Sequence, residues 1–361
     1  MALPIRPPFP PMEAQLVADI PRGDAWQYEP KWDGFRCLAF RDDDRVELQS
    51  KSGQPLARYF PEIVDAVRNL KANRFVLDGE IVVPVDGQLS FDDLLQRIHP
   101  AASRIRKLST ERSALYIVFD LLVDDRAGAL IELPLSDRRP RLERFAKRHF
   151  KSASPIRLSP ATDSFAAAKK WFASAGRNLD GVVAKQLDAD YRSGDRTGMV
   201  KVKNIRTVEC VVGGFRYGSK ATKTLGSLLL GLYDDQGLLN HVGFCSSLTA
   251  KQRKDLTPKI EQLRKPSIAG GGFTGKAPGG PSRWSTQRSG EWQPLKPTLV
   301  VEVQYDHFSS GRFRHGTKFL RWRPDKSPKA CTMDQVKHRG ASVALLKLSK
   351  PKPRRARTTK Q

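Results

Sequence analysis

The sequence predicts an α+β region followed by a small, mostly β barrel. Three observations carry this expectation. From Trp26 to about Lys203, strand-like apolar runs alternate with helix-like runs. Beyond Lys203, short β-branched runs succeed one another with a single helical interruption. The chain has 361 residues, enough for two cores at roughly 100–200 residues per domain.

Residues 1–25 are Pro-rich, with one short helix-compatible patch at 12–18. Strands are expected at 37–41, 75–84, 115–123, 181–186 and 199–203, where β-branched and apolar runs are bounded by Gly, Asp or Pro. Helices are expected at 61–70, 91–98, 138–149 and 164–175. In the last, Phe165, Ala168, Trp171, Phe172 and Ala175 recur at helical spacing and read as core. Ser90, ahead of Phe91-Asp92-Asp93, reads as an N-cap with acids in the first turn. The arginines of 138–148 read as a solvated helix face. In the second region, strands at 208–215, 228–233, 241–245, 300–305 and 319–323 surround a helix at 249–264. Five strands with one inserted helix fit a small closed barrel such as the OB-fold, with other small barrels open as alternatives. Residues 269–283 form a long Gly/Pro-rich loop, mobile or functional. The expected organisation is one domain over 1–204, a second over 205–345, and a basic, disordered tail over 346–361.

Lys and Arg number 63 against 38 Asp and Glu, a formal net charge of +25. Such an excess points to a polyanion, nucleic acid above all. The tail holds no acid, yet Lys and Arg also run through the rest of the chain. No run of 18 apolar residues marks a membrane span, and the N-terminus has no apolar signal region. Cys37, Cys210, Cys245 and Cys331 lie far apart, so neither a disulfide framework nor a zinc site is expected.

Several polar residues interrupt strands that should be apolar. Glu29-Pro30-Lys31-Trp32-Asp33-Gly34-Phe35-Arg36 sits at a turn between extended segments. A lysine there reads as a solvated residue, or as a nucleophile if desolvation or neighbouring cations lower its pKa. Asp78-Gly79-Glu80 splits one apolar run, Asp120 ends another, and Asp180-Gly181 opens a third that contains Lys185. Lys201 and Lys203 alternate with apolar residues and point to one face. One such strand reads as a half-exposed edge. Several in one region suggest a cleft lined by cations and a few carboxylates, suited to a polyphosphate with a divalent metal.

At this point a family resemblance is close. Lys31–Arg36 (K-x-D-G-x-R) resembles motif I of the covalent nucleotidyltransferases, which include DNA ligases, RNA ligases and mRNA capping enzymes. Ser50-Lys51-Ser52-Gly53 resembles motif Ia, Asp78-Gly79-Glu80 motif III and YIVFDL at 116–121 motif IIIa. DGVVAK at 180–185 resembles motif IV, MVKVK at 199–203 motif V, and RWRPDK at 321–326 motif VI. K-x-D-G alone is weak; the ordered set is specific and covers nearly the whole chain. The short length, the PPM near the N-terminus and the segment at 300–326 look most like the small ATP-dependent bacterial DNA ligases of the ligase C type.

The resemblance implies an α+β nucleotidyltransferase domain, ATP-grasp-like, for adenylation, followed by an all-β OB-fold barrel. It implies three steps. Lys31 attacks the α-phosphate of ATP, AMP passes to the 5′-phosphate of a nick, and the 3′-hydroxyl displaces AMP. Lys31 must be neutral to attack, and Lys185, Lys203, Arg36 and a metal are expected to lower its pKa. Lys185 and Lys203 also suit the α-phosphate as charge develops. Glu80 and Asp180 suit Mg²⁺ (or Mn²⁺), or polar contacts to ribose and metal-bound water. By family analogy Phe119 stacks on adenine, Glu29 reads its amino group and Arg36 contacts the ribose. Lys51, Lys201 and Arg196, the last in Y-x-x-G-x-R, join the nucleotide and phosphate contacts. Arg323, Asp325 and Lys326 orient the leaving pyrophosphate.

This sequence departs from the family pattern at Lys51, where Arg is usual, at Asp180, where Glu is commoner, and at Met199, where many relatives have Trp. His307 and His315 flank a Phe/Arg-rich turn that reads as a nucleic-acid or phosphate contact rather than as the site of a base. Two rivals stand beside a nick-sealing ligase. One is an RNA ligase or capping guanylyltransferase; the other is a non-catalytic DNA-binding or scaffold protein that kept the fold. The expected partners are ATP and nicked double-stranded DNA, in a monomeric, cytoplasmic, nucleoid-associated repair protein with no membrane contact.

Overall fold

The computed structural model describes residues 3–126, 128–218, 223–264, 272–279 and 291–337, with backbone only at 174–178. Residues 269–271 and 280–283 of the Gly/Pro-rich loop and all of the tail at 346–361 lie outside these residues. The described residues fall into two compact units divided between Asn204 and Ile205.

The first unit contains two sheets. One runs in the order Ile156–Leu158, Leu115–Asp124, Arg74–Val82, Phe35–Asp42, Arg45–Ser50, antiparallel except for the first pair. Strand alternation divides its residues between two faces. Cys37, Ala39, Leu77, Tyr116 and Val118 pack with Ile63 and Val67 of the helix Pro61–Arg68 and with Leu142 and Phe145 of the helix Leu135–His149. On the opposite face Leu38, Phe40, Val76 and Leu122 meet Leu3, Ile5, Met12, Tyr191 and Met199. That second cluster links the large sheet to the N-terminal segment and to a second sheet. The second sheet has the order Gln15–Leu16, Met199–Lys203, Gly181–Gln186, Trp26–Pro30. Its Gln15–Leu16 strand, parallel to Val200 and Lys201, replaces the helical patch expected at 12–18. A Pro-rich segment has little to nucleate a helix, and strand pairing satisfies its amides instead.

Ser90 caps the helix Phe91–Gln96, accepting the Asp93 amide at 3.3 Å. The arginine-rich helix Leu135–His149 departs from expectation. Arg144, Lys147 and Arg148 are exposed, but Arg138 and Arg139 are buried. Arg138 forks onto Asp120 at 3.1 and 3.2 Å, and Arg139 meets Glu143 at 2.9 Å. Asp120, from the neighbouring strand, and Glu143, one turn along the same helix, make that burial tolerable.

The second unit is an antiparallel sheet ordered Leu239–Cys245, Leu225–Tyr233, Arg206–Tyr217, Val300–Tyr305, Lys318–Trp322. The helix Ala250–Gln262 begins at the capping box formed by Thr249 and Gln252. The expected closed barrel is corrected: among the described residues the ladder does not close. Its outer strands meet at one bridge between Cys245 and Thr317. The OB-fold tolerates this, being a partly open barrel. All four cysteines are buried and free.

Candidate active site

Three Asp-Gly steps shape the cleft. A Cβ at Gly34 would collide with the Ile81 carbonyl, and one at Gly181, where φ is +148°, with the Val202 carbonyl. Glycine therefore lets the motif backbones close together. The Lys31 amide donates to the Gly181 carbonyl at 3.0 Å, and the Asp180 amide to the Lys31 carbonyl at 3.3 Å. This backbone clamp brings together residues 149 positions apart in sequence.

Register supplies the rest. Lys201 stands opposite Val183, Val183 opposite Glu29, and Lys185 opposite Gln27 and Met199. Lys203 stands opposite Gly181. Period-2 alternation thus puts Glu29, Lys185, Lys201 and Lys203 on one face of the second sheet. In the large sheet Arg36 stands opposite Glu80. Phe119 falls in a bulge, where Asp78 pairs Asp120 and Gly79 pairs Val118, leaving Phe119 without an opposite residue. The cleft is lined by Lys31, Arg36, Glu80, Phe119, Lys185 and Lys201 among others.

Each deep cation is met by a carboxylate. Lys31 Nζ pairs with Asp180. Lys185 Nζ lies 3.0 Å from Glu29 Oε1, with both side chains under one-tenth exposed. Arg36 forks onto Asp78 with both contacts at 2.6 Å. Gln27 Nε2 also donates to Glu29 Oε1 at 2.8 Å, and Arg139 lies 3.9 Å from the same oxygen. Two cations approach the Phe119 ring: Arg36 at 4.6 Å and Lys185 at 4.7 Å from its centroid.

The charges shift one another. Burial works against the Lys31 ammonium, but Asp180, then Glu80 and Asp33, outweigh it and raise its pKa. This corrects the expectation that neighbouring cations lower it: the nearest charged groups are acids. Lys201 moves the other way, lowered by burial and by repulsion from Lys31, Lys203 and Lys51. Burial pushes the Glu80 carboxyl up to about 7, against the pull of Arg36 and Lys31. The crowding at Lys201 marks a local excess of positive charge, the condition a polyphosphate relieves.

Two expected contacts lie further out. Lys51 reaches Glu13 at 2.9 Å, and Arg196 reaches the same carboxylate at 3.1 Å. Lys51 and Glu13 line the cleft, whereas exposed Arg196 is not among its lining residues. In the second unit Arg323 forks onto Asp325 at 2.9 and 2.8 Å and also pairs with Glu209. Lys326 reaches Glu209 at 2.8 Å. Arg323 holds Asp325 down to about 2. His315 Nδ1 lies 2.9 Å from Asp306, beside the hairpin Phe308–Ser309 and Arg312–Phe313.

Among the described residues no group of three His, Cys, Asp or Glu could cage a metal. Glu80 and Asp180 both act on Lys31. Two carboxylates are a donor set that fits Mg²⁺, which keeps several waters and takes its other ligands from substrate phosphates.

Sequence reading missed Tyr191, whose hydroxyl donates to Asp78 at 2.6 Å, and the wall formed by Pro11, Met12, Glu13 and Ala14. Their signal was present, as the PPM and as the tyrosine of Y-x-x-G-x-R, but neither pattern reveals its partner.

Residues 11–203 match the model of the ATP dependent DNA ligase domain, and residues 221–326 the ATP dependent DNA ligase C terminal region. The chain is 43% identical over 349 residues to DNA ligase C1 of Mycolicibacterium smegmatis, covering 93% of this chain and 96% of that protein. It is 41% identical over 351 residues to DNA ligase C of Mycobacterium tuberculosis, with the same shares covered. The multifunctional non-homologous end joining protein LigD of Pseudomonas aeruginosa is 30% identical over 331 residues, 89% of this chain but 36% of that protein. A solved structure from work on Lig E DNA ligases superposes with a TM-score of 0.52 at 16% identity, over 86% of this chain and all of that one; it speaks to the fold alone. With adenylation and OB-fold domains in that order, this chain belongs to the ATP-dependent DNA ligases.

Proposed function

We propose that this ligase seals nicks in duplex DNA through an AMP carried on Lys31. The observation that supports it is the placement of Lys31 between Asp180 and Glu80, in a cleft shared with Lys185, Arg36 and Lys201. In step one the Lys31 amine forms a bond to the α-phosphorus of ATP, the bond to the bridging oxygen breaks, and pyrophosphate leaves. The amine must first lose its proton, which its pairing with Asp180 now retains. Lys185 exchanges Glu29 for the α-phosphate, with Lys203 and Lys201 on the same strand face. Released from Lys185, Glu29 takes the adenine amino group, Phe119 stacks on the base and Arg36 holds the ribose. Mg²⁺ (or Mn²⁺), held through Glu80 and Asp180, would neutralise charge on the triphosphate.

In the later steps AMP passes to the 5′-phosphate at the nick and the 3′-hydroxyl displaces it. Lys51 and Arg196, which now share Glu13, are assigned to phosphate. Arg323, Asp325 and Lys326 are assigned to the pyrophosphate leaving group. We assign residues 1–204 to adenylation, 205–345 to the OB-fold domain and 346–361 to a tail that adds backbone grip through counterion release. The resemblance to a multifunctional non-homologous end joining protein supports a role in DNA repair. We place the protein as a monomer in the cytoplasm, on the nucleoid; no described helix is long and apolar enough to cross a membrane.

The test is direct. A duplex with one 5′-phosphorylated nick, incubated with the protein, ATP and Mg²⁺, should yield the sealed strand, and a nicked RNA duplex should not. Labelling from GTP rather than ATP, or DNA binding with no sealing, would replace this reading with one of its rivals.

A further inference from the structure

Arg36 does not stand alone in the cleft. Besides its fork onto Asp78, its Nη2 reaches the Met12 carbonyl at 3.2 Å. Asp78 is fully buried, so protein groups must meet its charge. The Tyr191 hydroxyl donates to Asp78 Oδ2 at 2.6 Å and accepts the Met12 amide at 3.0 Å. Met12 in turn forms part of the cleft wall. One buried hydroxyl therefore joins three segments: the N-terminal wall, the strand that carries Asp78, and the loop before Met199–Lys203. The Tyr191 ring is held independently, near Phe9 with centroids 6.4 Å apart and under the Arg138 guanidinium at 5.7 Å.

We propose that Tyr191 is a positioning residue for Arg36: its hydroxyl fixes the Asp78 carboxylate and the Met12 backbone, and these two fix the guanidinium against the nucleotide. The inference rests on the reading that Arg36 contacts the ribose of ATP. Without the hydroxyl, Asp78 Oδ2 loses a donor and the Met12 amide loses its acceptor, both in a water-poor site. Arg36 keeps its charge and its fork but loses the group that orients the fork. The deficit falls on nucleotide binding rather than on bond making at Lys31.

Single-turnover adenylation of Lys31, followed against ATP concentration, separates these roles in wild type, Tyr191→Phe, Arg36→Ala and the double variant. Phenylalanine keeps the ring and its packing, so the fold is retained. Tyr191→Phe should raise the half-saturating ATP concentration by about 5–20-fold and leave the maximal rate within about twofold. In the Arg36→Ala background the same change should add less than about twofold, because the group it positions is gone. Multiplying effects in the double variant, or a fall in maximal rate at unchanged half-saturation, overturns the proposal. If Arg36→Ala shifts the ATP dependence and Tyr191→Phe does not, only the role of Tyr191 fails. If Arg36→Ala itself leaves the ATP dependence unchanged, the ribose reading fails and this inference falls with it.

Discussion

The two units keep their motif cations in different ways. In the first, the partner acids are almost wholly buried: Asp78 at 0%, Asp180 at 3% and Glu29 at 3% side-chain exposure. In the second, Glu209 is 16% and Asp325 63% exposed. Buried pairs are costly to break by removing one partner, whereas exposed pairs contribute little and exchange readily. On the proposed reading the first unit is therefore a fixed mould in which phosphate replaces carboxylate in place. The second holds Arg323 on one easily surrendered partner, the exposed Asp325, while Arg323 and Lys326 share the half-buried Glu209. On the same reading the difference suits the first set to alignment and the second to reassignment between steps.

Substitutions can break this contrast, the largest effect first. Lys185→Ala should slow adenylation by about 10²–10³-fold, the cost of one preorganised donor to a developing oxyanion, and leaves Glu29 buried without its lysine. Quench-flow labelling with ATP measures it; a loss below tenfold would count against a fixed mould. Arg323→Ala should slow adenylation by about 10–100-fold, yet barely alter sealing of a nick that already carries 5′-AMP. Equal losses in both assays would remove the distinction between alignment and reassignment.

Acid–base behaviour sharpens the same contrast. Because acids raise the Lys31 pKa, the ammonium persists to higher pH and the adenylation rate should rise through the alkaline range. Asp180→Asn removes the strongest of those acids and lets burial dominate. The rising limb should then move to lower pH by about one unit, even if the rate falls. A limb that stays in place would assign it to another group. Glu80 works in the opposite sense. Its folded pKa of about 7 lies above its ordinary value of 4.5. The folded state thus holds a proton that the unfolded state has released, and stability declines as pH rises from about 4.5 to 7. Glu80→Gln should unfold at a higher temperature than wild type at pH 8, with the gap closing toward pH 4. The smallest effect is expected from deleting 346–361, which should weaken nick binding and flatten its dependence on salt.

The parts of the molecule legible in sequence were those with short-range signals. The strands Gly181–Gln186, Met199–Lys203 and Val300–Tyr305 have the expected bounds, because strict alternation or an unbroken apolar run marks them. Trp26–Pro30 was not anticipated, since a strand carrying buried Gln27 and Glu29 resembles a polar turn until Lys185 and Arg139 are placed beside it. Arg138 and Arg139 were misread for the same reason: Asp120, 18 positions from Arg138, makes its burial possible. The charge state of Lys31 depends on Asp180, 149 positions away. The open ladder of the second unit depends on register between its first and last strands. The motifs identified the cleft residues, but only the fold showed which acid each cation holds.

In the proposed mechanism Lys31, and no other lysine of the cleft, carries the nucleotide. Wild-type protein and Lys31→Ala, each incubated with ATP and Mg²⁺, digested and read by mass spectrometry, test it most directly. The expected result is a single AMP adduct on the peptide bearing Lys31 in the wild type and none in the variant. An adduct on Lys185, Lys201 or Lys203, or one that persists in Lys31→Ala, would contradict it.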